Sequence, residues 1–120
     1  MNTAVETNPN ISPISDHNKP LLSVVVCVYN EQDNIQPLIN QIYEALDAID
    51  FELIYVDDGS RDKTVRNIKS AFKPGMKLIE LQKNYGQSSA LAAGIDHADG
   101  EFIVLMDGDL QNDPTDIPKM

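Results

Sequence analysis

Leu22-Ser23-Val24-Val25-Val26-Cys27-Val28 is the stretch that decides the fold. It is almost continuously apolar and mostly β-branched, the pattern of a strand buried on both faces in a parallel sheet. It stops abruptly at Tyr29-Asn30-Glu31. Two further runs end the same way: 51–56 meets Asp57-Asp58-Gly59-Ser60, and 101–106 meets Asp107-Gly108-Asp109. Between the first two, Ile35, Leu38, Ile39, Ile42, Leu46 and Ile49 recur at threes and fours, which predicts an amphipathic helix. Asp33 or Asn34 can cap it, and Pro37 falls in its first turn. The segment 64–72 predicts a short helix, with Ser60 and Asp62 as caps, and Pro74-Gly75 stops it. A strand follows at 77–82, then a helix at 86–98 whose Ala90, Ala92, Ala93, Gly94 and Ala98 allow close packing on a sheet. The order βαβαβαβ predicts an α/β fold. It is a Rossmann-like, mostly parallel sheet with helices on both faces and right-handed crossovers.

In such a sheet the three acidic clusters fall on one edge, the edge at which open α/β sheets bind ligands. Carboxylates gathered there repel one another unless a cation or hydrogen-bond donors intervene. Asp107-Gly108-Asp109 is the sharpest cluster. Two carboxylates two apart in extended chain point the same way and can hold one hard cation, and Gln111 adds a neutral oxygen. All-oxygen ligation suits Mg²⁺ or Mn²⁺; the plainer reading is an acidic turn at a strand end. Asp57 or Asp58 can accept from a nucleobase or a ribose hydroxyl, or can build a turn and a cap. Tyr29 and Glu31 can stack and bind a base, or form an ordinary polar rim. Asn84-Tyr85-Gly86-Gln87 opens a helix whose free N–H groups attract phosphate, or is capped by Asn84 alone. His97, near a helix end, reads as structural or exposed, and Cys27 as a small core residue rather than a nucleophile.

The bulk properties exclude several classes. A chain of 120 residues at 42% apolar content is one globular domain or part of one. No run approaches the roughly 18 apolar residues of a membrane span, and no basic-then-apolar signal pattern opens the chain. One cysteine makes no internal disulfide and fits a reducing compartment. A net charge of -10 argues against nucleic-acid binding. Arg61, Lys63, Arg66, Lys69, Lys73, Lys77 and Lys83 nevertheless form a local basic strip, either a solvated face or a surface toward phosphates. No Gly-rich dinucleotide fingerprint, phosphate loop or Ser nucleophile elbow is present. Residues 1–20, with Pro9, Pro13 and Pro20 and no periodicity, read as a flexible tail ahead of a folded unit at 21–120.

Together these motifs resemble the family 2 glycosyltransferases of the GT-A fold, in particular the branch that moves a sugar onto polyprenyl phosphate, such as dolichol-phosphate mannose synthase. The resemblance runs from about Leu22 to Pro118. It rests on Val28-Tyr29-Asn30-Glu31, Val56-Asp57-Asp58-Gly59-Ser60, Asn84-Tyr85-Gly86-Gln87 with Ala93-Gly94, and Met106-Asp107-Gly108-Asp109-Leu110-Gln111 followed by Pro114. It implies that Tyr29, Glu31 and Asp57 line a nucleoside pocket with Asp58 near it, and that Asn84 and Gln87 lie near the donor. Asp107 and Asp109 would be the catalytic, metal-holding pair, completed by Gln111. The implied reaction is metal-assisted, inverting transfer from a UDP- or GDP-sugar to a lipid phosphate, in cell-envelope glycan synthesis. The implied setting is cytoplasmic, with the full-length protein at the cytoplasmic face of a membrane. Residues 21–120 would then be the N-terminal, nucleotide-sugar-binding half of a truncated domain, with the acceptor side beyond it. Cys27 stands where the family usually has Pro, and Lys83 where Arg is common. The second difference exchanges a planar fork for a point charge. Two other readings stay open: a receiver-like phospho-acceptor signalling domain, and a fragment that binds nucleotide without turnover.

Overall fold

The computed structural model describes the backbone of Thr3–Thr7 and residues 19–108. Five strands form one sheet: β1 (Thr3–Thr7), β2 (Leu22–Val28), β3 (Phe51–Asp57), β4 (Met76–Leu81) and β5 (Phe102–Asp107), in spatial order β1-β4-β3-β2-β5. The last four are mutually parallel. Among the described residues the α-helices are α1 (Ile35–Ala45), α2 (Thr64–Ser70) and α3 (Gln87–Asp96), with a 3-10 turn at Gln32–Asn34 leading into α1. The α/β reading of the sequence therefore holds, and each expected strand lies within a residue of its place.

Burial explains the two-sided apolar pattern. Val24, Val26 and Val28 face a core with Leu53, Tyr55 and Leu78 under Ile35, Leu38, Ile39 and Ile42 of α1 and Ile68 of α2. Val25 faces the opposite layer with Ile54, Val56 and Ile79 under Ala90 of α3. The small residues of α3 serve close approach. A methyl group added to Gly94 would collide with the Val25 side chain and press on that of Val56.

Two differences from the sequence reading stand out. The segment read as a featureless tail contains β1, paired antiparallel to β4 with Val5 opposite Ile79. Thr-Ala-Val-Glu-Thr carries β-favouring residues at every second position, and the outer edge of β4 offers unpaired backbone groups. The first helix ends at Ala45 rather than at Ile49, its last carbonyls being met by the turn bonds Leu46 N–H to Ile42 O and Ile49 N–H to Leu46 O.

The chain runs from β2 outward through β3 to β4, then returns across the other face through α3 to β5 on the far side of β2. The strand order thus reverses at β2. Register places Asp107 beside Cys27 and Asp57 beside Val28, so the acidic strand ends flank the end of β2 on both sides.

Candidate functional site

The loops after β2 and β3 are stitched together. Asn30 has a left-handed backbone (φ 53°), which its short polar side chain tolerates. Its N–H donates to Ser60 Oγ at 2.8 Å, and its Oδ1 accepts from Arg61 N–H at 2.9 Å. Glu31 N–H donates to Thr64 Oγ1 at 2.9 Å, and Lys63 N–H to Gln32 Oε1 at 3.0 Å. Asp62 caps α2 by accepting from Thr64 N–H at 2.9 Å, whereas Ser60 is used between the loops instead. Asn34 makes no cap bond. Its amide donates to Glu31 Oε2 at 2.7 Å and so orients that carboxylate.

Two clefts open at this edge. The first, about 300 Å³, lies at the β2/β5 reversal and is lined by Tyr29, Glu31, Asp58, Gln87 and Asp107, with Cys27 and Gly108 in its wall. The second, about 410 Å³, lies at the ends of β3 and β4. Tyr29, Asp57, Arg61, Lys83 and Asn84 are among its lining residues. Tyr29 lines both. The expected site residues are thus brought to one edge but divided: Asp58 and Gln87 belong with Asp107, and Asn84 belongs with Asp57. Asn84 does not cap α3, whose first turn has no side-chain cap. Asp109 and Gln111 lie outside the described residues.

The paired aspartates differ. Asp57 is buried. Its Oδ2 accepts Ser60 N–H at 3.0 Å, while its Oδ1 has no hydrogen-bond partner. Burial raises its pKa above the usual carboxylate value, against the lowering effect of the Ser60 and Gly59 bonds. Asp58 is also buried, and its two oxygens accept Tyr85 N–H at 2.8 Å and Gly86 N–H at 3.0 Å, fastening the loop that leads into α3. Gly59 lets that loop approach. At φ 78°, a Cβ there would lie 2.5 Å from the Lys83 carbonyl carbon. Gln87 Nε2 then donates to Asp107 Oδ1 at 2.8 Å across the first cleft. Apart from the Asp62 cap, none of these loop bonds is visible in the sequence. The quoted motifs located their participants, but the pairings between loops span 20 to 33 residues and have no periodic signal.

The basic strip disperses. Lys77 lies in a polar network with Glu52 and Asp99, Lys69 pairs with Glu80 at 3.5 Å, and Lys83 lies over the Tyr85 ring. Arg61 and Lys83 are the strip residues that reach the second cleft. His97 is structural: its ring bonds the Ala93 carbonyl at 2.8 Å. Burial, and then the nearby Asp58 and Asp107 carboxylates, push the Cys27 thiol up to about 12, which leaves it protonated and unreactive.

A divalent ion fits the donor chemistry of the first cleft. The exposed Asp107 carboxylate at the end of β5 is a hard oxygen donor held by an amide N–H, and a small hard cation is commonly bound by one or two carboxylates plus substrate phosphates. Among the described residues, no group of three or more His, Cys, Asp or Glu side chains forms a complete cage.

Comparison with known proteins agrees with this arrangement. The family model described as glycosyl transferase family 2 matches residues 23–120. The chain is 44% identical over 119 residues to a dodecaprenyl-phosphate galacturonate synthase of Rhizobium johnstonii, covering 92% of this chain and 35% of that protein. It is 39% identical over 104 residues to an undecaprenyl-phosphate 4-deoxy-4-formamido-L-arabinose transferase of Edwardsiella ictaluri, covering 82% and 32%. The chain thus spans about a third of the length of these relatives. Among solved structures, it superposes on the mannosyltransferase PcManGT of Pyrobaculum calidifontis in complex with GDP-Man and Mn²⁺. The TM-score is 0.64 at 29% identity, over 83% of this chain and 30% of that one. It also superposes on residues 1–349 of S. aureus TarS in complex with UDP-GlcNAc, with a TM-score of 0.65 at 30% identity, over 73% and 26%. By sequence and by sheet, the chain belongs to glycosyl transferase family 2, with the α/β architecture of the GT-A glycosyltransferases.

Proposed function

We propose that residues 21–120 bind the nucleotide-sugar donor in a glycosyl transfer to a polyprenyl phosphate. The observation that carries this reading is the convergence of Tyr29, Glu31, Asp58, Gln87 and Asp107 on one cleft where the strand order reverses. The relatives' names, dodecaprenyl-phosphate and undecaprenyl-phosphate transferases, support the acceptor class. Tyr29, 43% exposed and lining both clefts, offers its ring to a base. Asp57 lines the second cleft, where a base or ribose donor would meet it, and Glu31 supplies an oriented carboxylate to the first. Asn84 lies beside Lys83, whose charge suits a phosphate.

Asp107, with Asp109 and Gln111, would hold Mg²⁺ or Mn²⁺, which when bound stabilises the charge developing on the nucleoside diphosphate leaving group. Inversion fits direct attack by a lipid-phosphate oxygen. That oxygen is already anionic near neutral pH, so this chain needs no strong general base for it. The acceptor would be met by parts of the relatives that this chain does not span, at the cytoplasmic face of a membrane. Among the described residues no helix is long and apolar enough to cross one. A phospho-acceptor role is disfavoured: Asp57 is buried, and both oxygens of Asp58 are engaged by backbone N–H groups.

Thermal stability of the chain with UDP, GDP and their sugar conjugates, each with Mn²⁺ or with a chelator, tests the proposal. The expected result is a rise in melting temperature for one base, lost with chelator and in Asp109→Asn. A cooperative melt that no nucleotide moves would sink donor binding by this chain.

A further inference from the structure

We propose that Gln87 is a positioning residue for Asp107, and that Asp58 sets Gln87 through the backbone of the loop between them. The inference rests on the reading of Asp107 as the carboxylate that faces the donor diphosphate and its cation. Asp107 ends β5, which is an edge strand among the described residues, and its side chain is exposed at the cleft. The Gln87 amide supplies a direction by donating to Oδ1 at 2.8 Å from the far wall of the cleft. An amide N–H donating to a carboxylate fixes the direction in which that carboxylate presents itself, as outer hydrogen bonds do for metal-holding side chains.

Gln87 is the first residue of α3 and is itself exposed, so its reach depends on where α3 begins. That start is anchored from below. Gly86, at φ 103°, turns the chain into the helix, and its N–H and that of Tyr85 are both held by the buried carboxylate of Asp58. Charge-assisted bonds of this kind are short and strong. The path Asp58, Tyr85–Gly86, Gln87, Asp107 therefore links the end of β3 to the end of β5 across the end of β2. A change at Asp58 is thereby felt at Asp107.

Two readouts on the 120-residue chain test this. In the metal-free, ligand-free chain, the Gln87 side-chain amide resonance, identified by its loss in Gln87→Ala, is expected to shift in both Asp107→Asn and Asp58→Asn. With UDP or GDP present, Mn²⁺ affinity followed by electron paramagnetic resonance is expected to fall about tenfold in Gln87→Ala, with the melting temperature unchanged. A purely structural Gln87 would move the melting temperature and leave Mn²⁺ affinity alone. A Gln87 resonance that ignores Asp58→Asn, or a Gln87→Ala variant with parental Mn²⁺ affinity, overturns the proposal. Should Asp58→Asn fail to fold, the surface substitution Gln87→Ala still decides. Should the parent bind no Mn²⁺ with either nucleotide, the donor reading falls, and the metal-free resonance in Asp107→Asn alone decides the pairing, an unmoved signal overturning it.

Discussion

Asp57 is 2% exposed and carries an oxygen with no partner, an arrangement that costs stability. Burial raises its folded pKa above the ordinary 3.8, so the folded chain holds this proton more tightly than the unfolded chain does. The sign follows from linkage: the group opposes folding increasingly as pH rises from the unfolded value through the folded one, and the full cost is present above both. Asp57→Asn removes the charge. It is expected to stabilise the chain at pH 7 in urea unfolding, to abolish the fall in stability with rising pH that this carboxylate causes, and to weaken nucleotide binding. Equal or lower stability of the variant at pH 7 would show that Asp57 is not strained. The sequence displays Asp57-Asp58 as two equivalent acids in a turn. Both are buried, and what the sequence does not display is the partner of each: Ser60 N–H alone for Asp57, which leaves one oxygen orphaned at the β3/β4 cleft, and the Tyr85 and Gly86 N–H groups for Asp58, which anchor a loop.

At the scale of elements, strands and helices were legible because each is a local periodic pattern. Ile35, Leu38, Ile39 and Ile42 are buried as their spacing requires, and the β-branched run of β2 is buried on both faces. What joins the elements at the end of the sheet away from the site was not legible. Glu52, 6% exposed, accepts from Ser23 Oγ at 2.6 Å and from Asp99 N–H at 2.6 Å, and pairs with Lys77 at 2.8 Å. Lys77 also donates to the Asp99 carboxylate and to the His97 carbonyl, both at 2.9 Å. These partners lie 20 to 47 residues apart, beyond any local pattern. Burial alone would lower the Lys77 pKa, but the Glu52 and Asp99 carboxylates outweigh it and hold the ammonium above its ordinary 10.5. Its contribution is therefore full at neutral pH and is lost as pH rises past 10.5 and through the folded value. Lys77→Met leaves Glu52 buried without its cation and is expected to cost about 3 kcal/mol in urea unfolding at pH 7. A loss under about 1 kcal/mol would mean that the Ser23 and Asp99 bonds suffice to hold the carboxylate.

Across the whole molecule the two edges of the sheet are unequal. β1 covers the outer edge of β4, while β5 has a neighbour on one side alone among the described residues. β5 also keeps Phe102, Ile103 and Leu105 between 42% and 61% exposed, and Ile95 of α3 is 42% exposed. An edge strand with unpaired backbone groups and no charge among its apolar residues is a template for pairing with another copy. The net charge of -10 opposes that approach, but the opposition is long-range and salt screens it, whereas apolar burial is not screened. The balance predicts that the isolated chain associates as concentration rises through the micromolar range, and more so with added salt. Light scattering should give a mass that grows under both changes. In Ile103→Lys with Leu105→Lys, two positions that share one face of β5, the mass should stay monomeric. Association that weakens with salt would place the contact on charged surface instead, and a parent chain monomeric at every concentration and ionic strength would show that β5 protects its own edge.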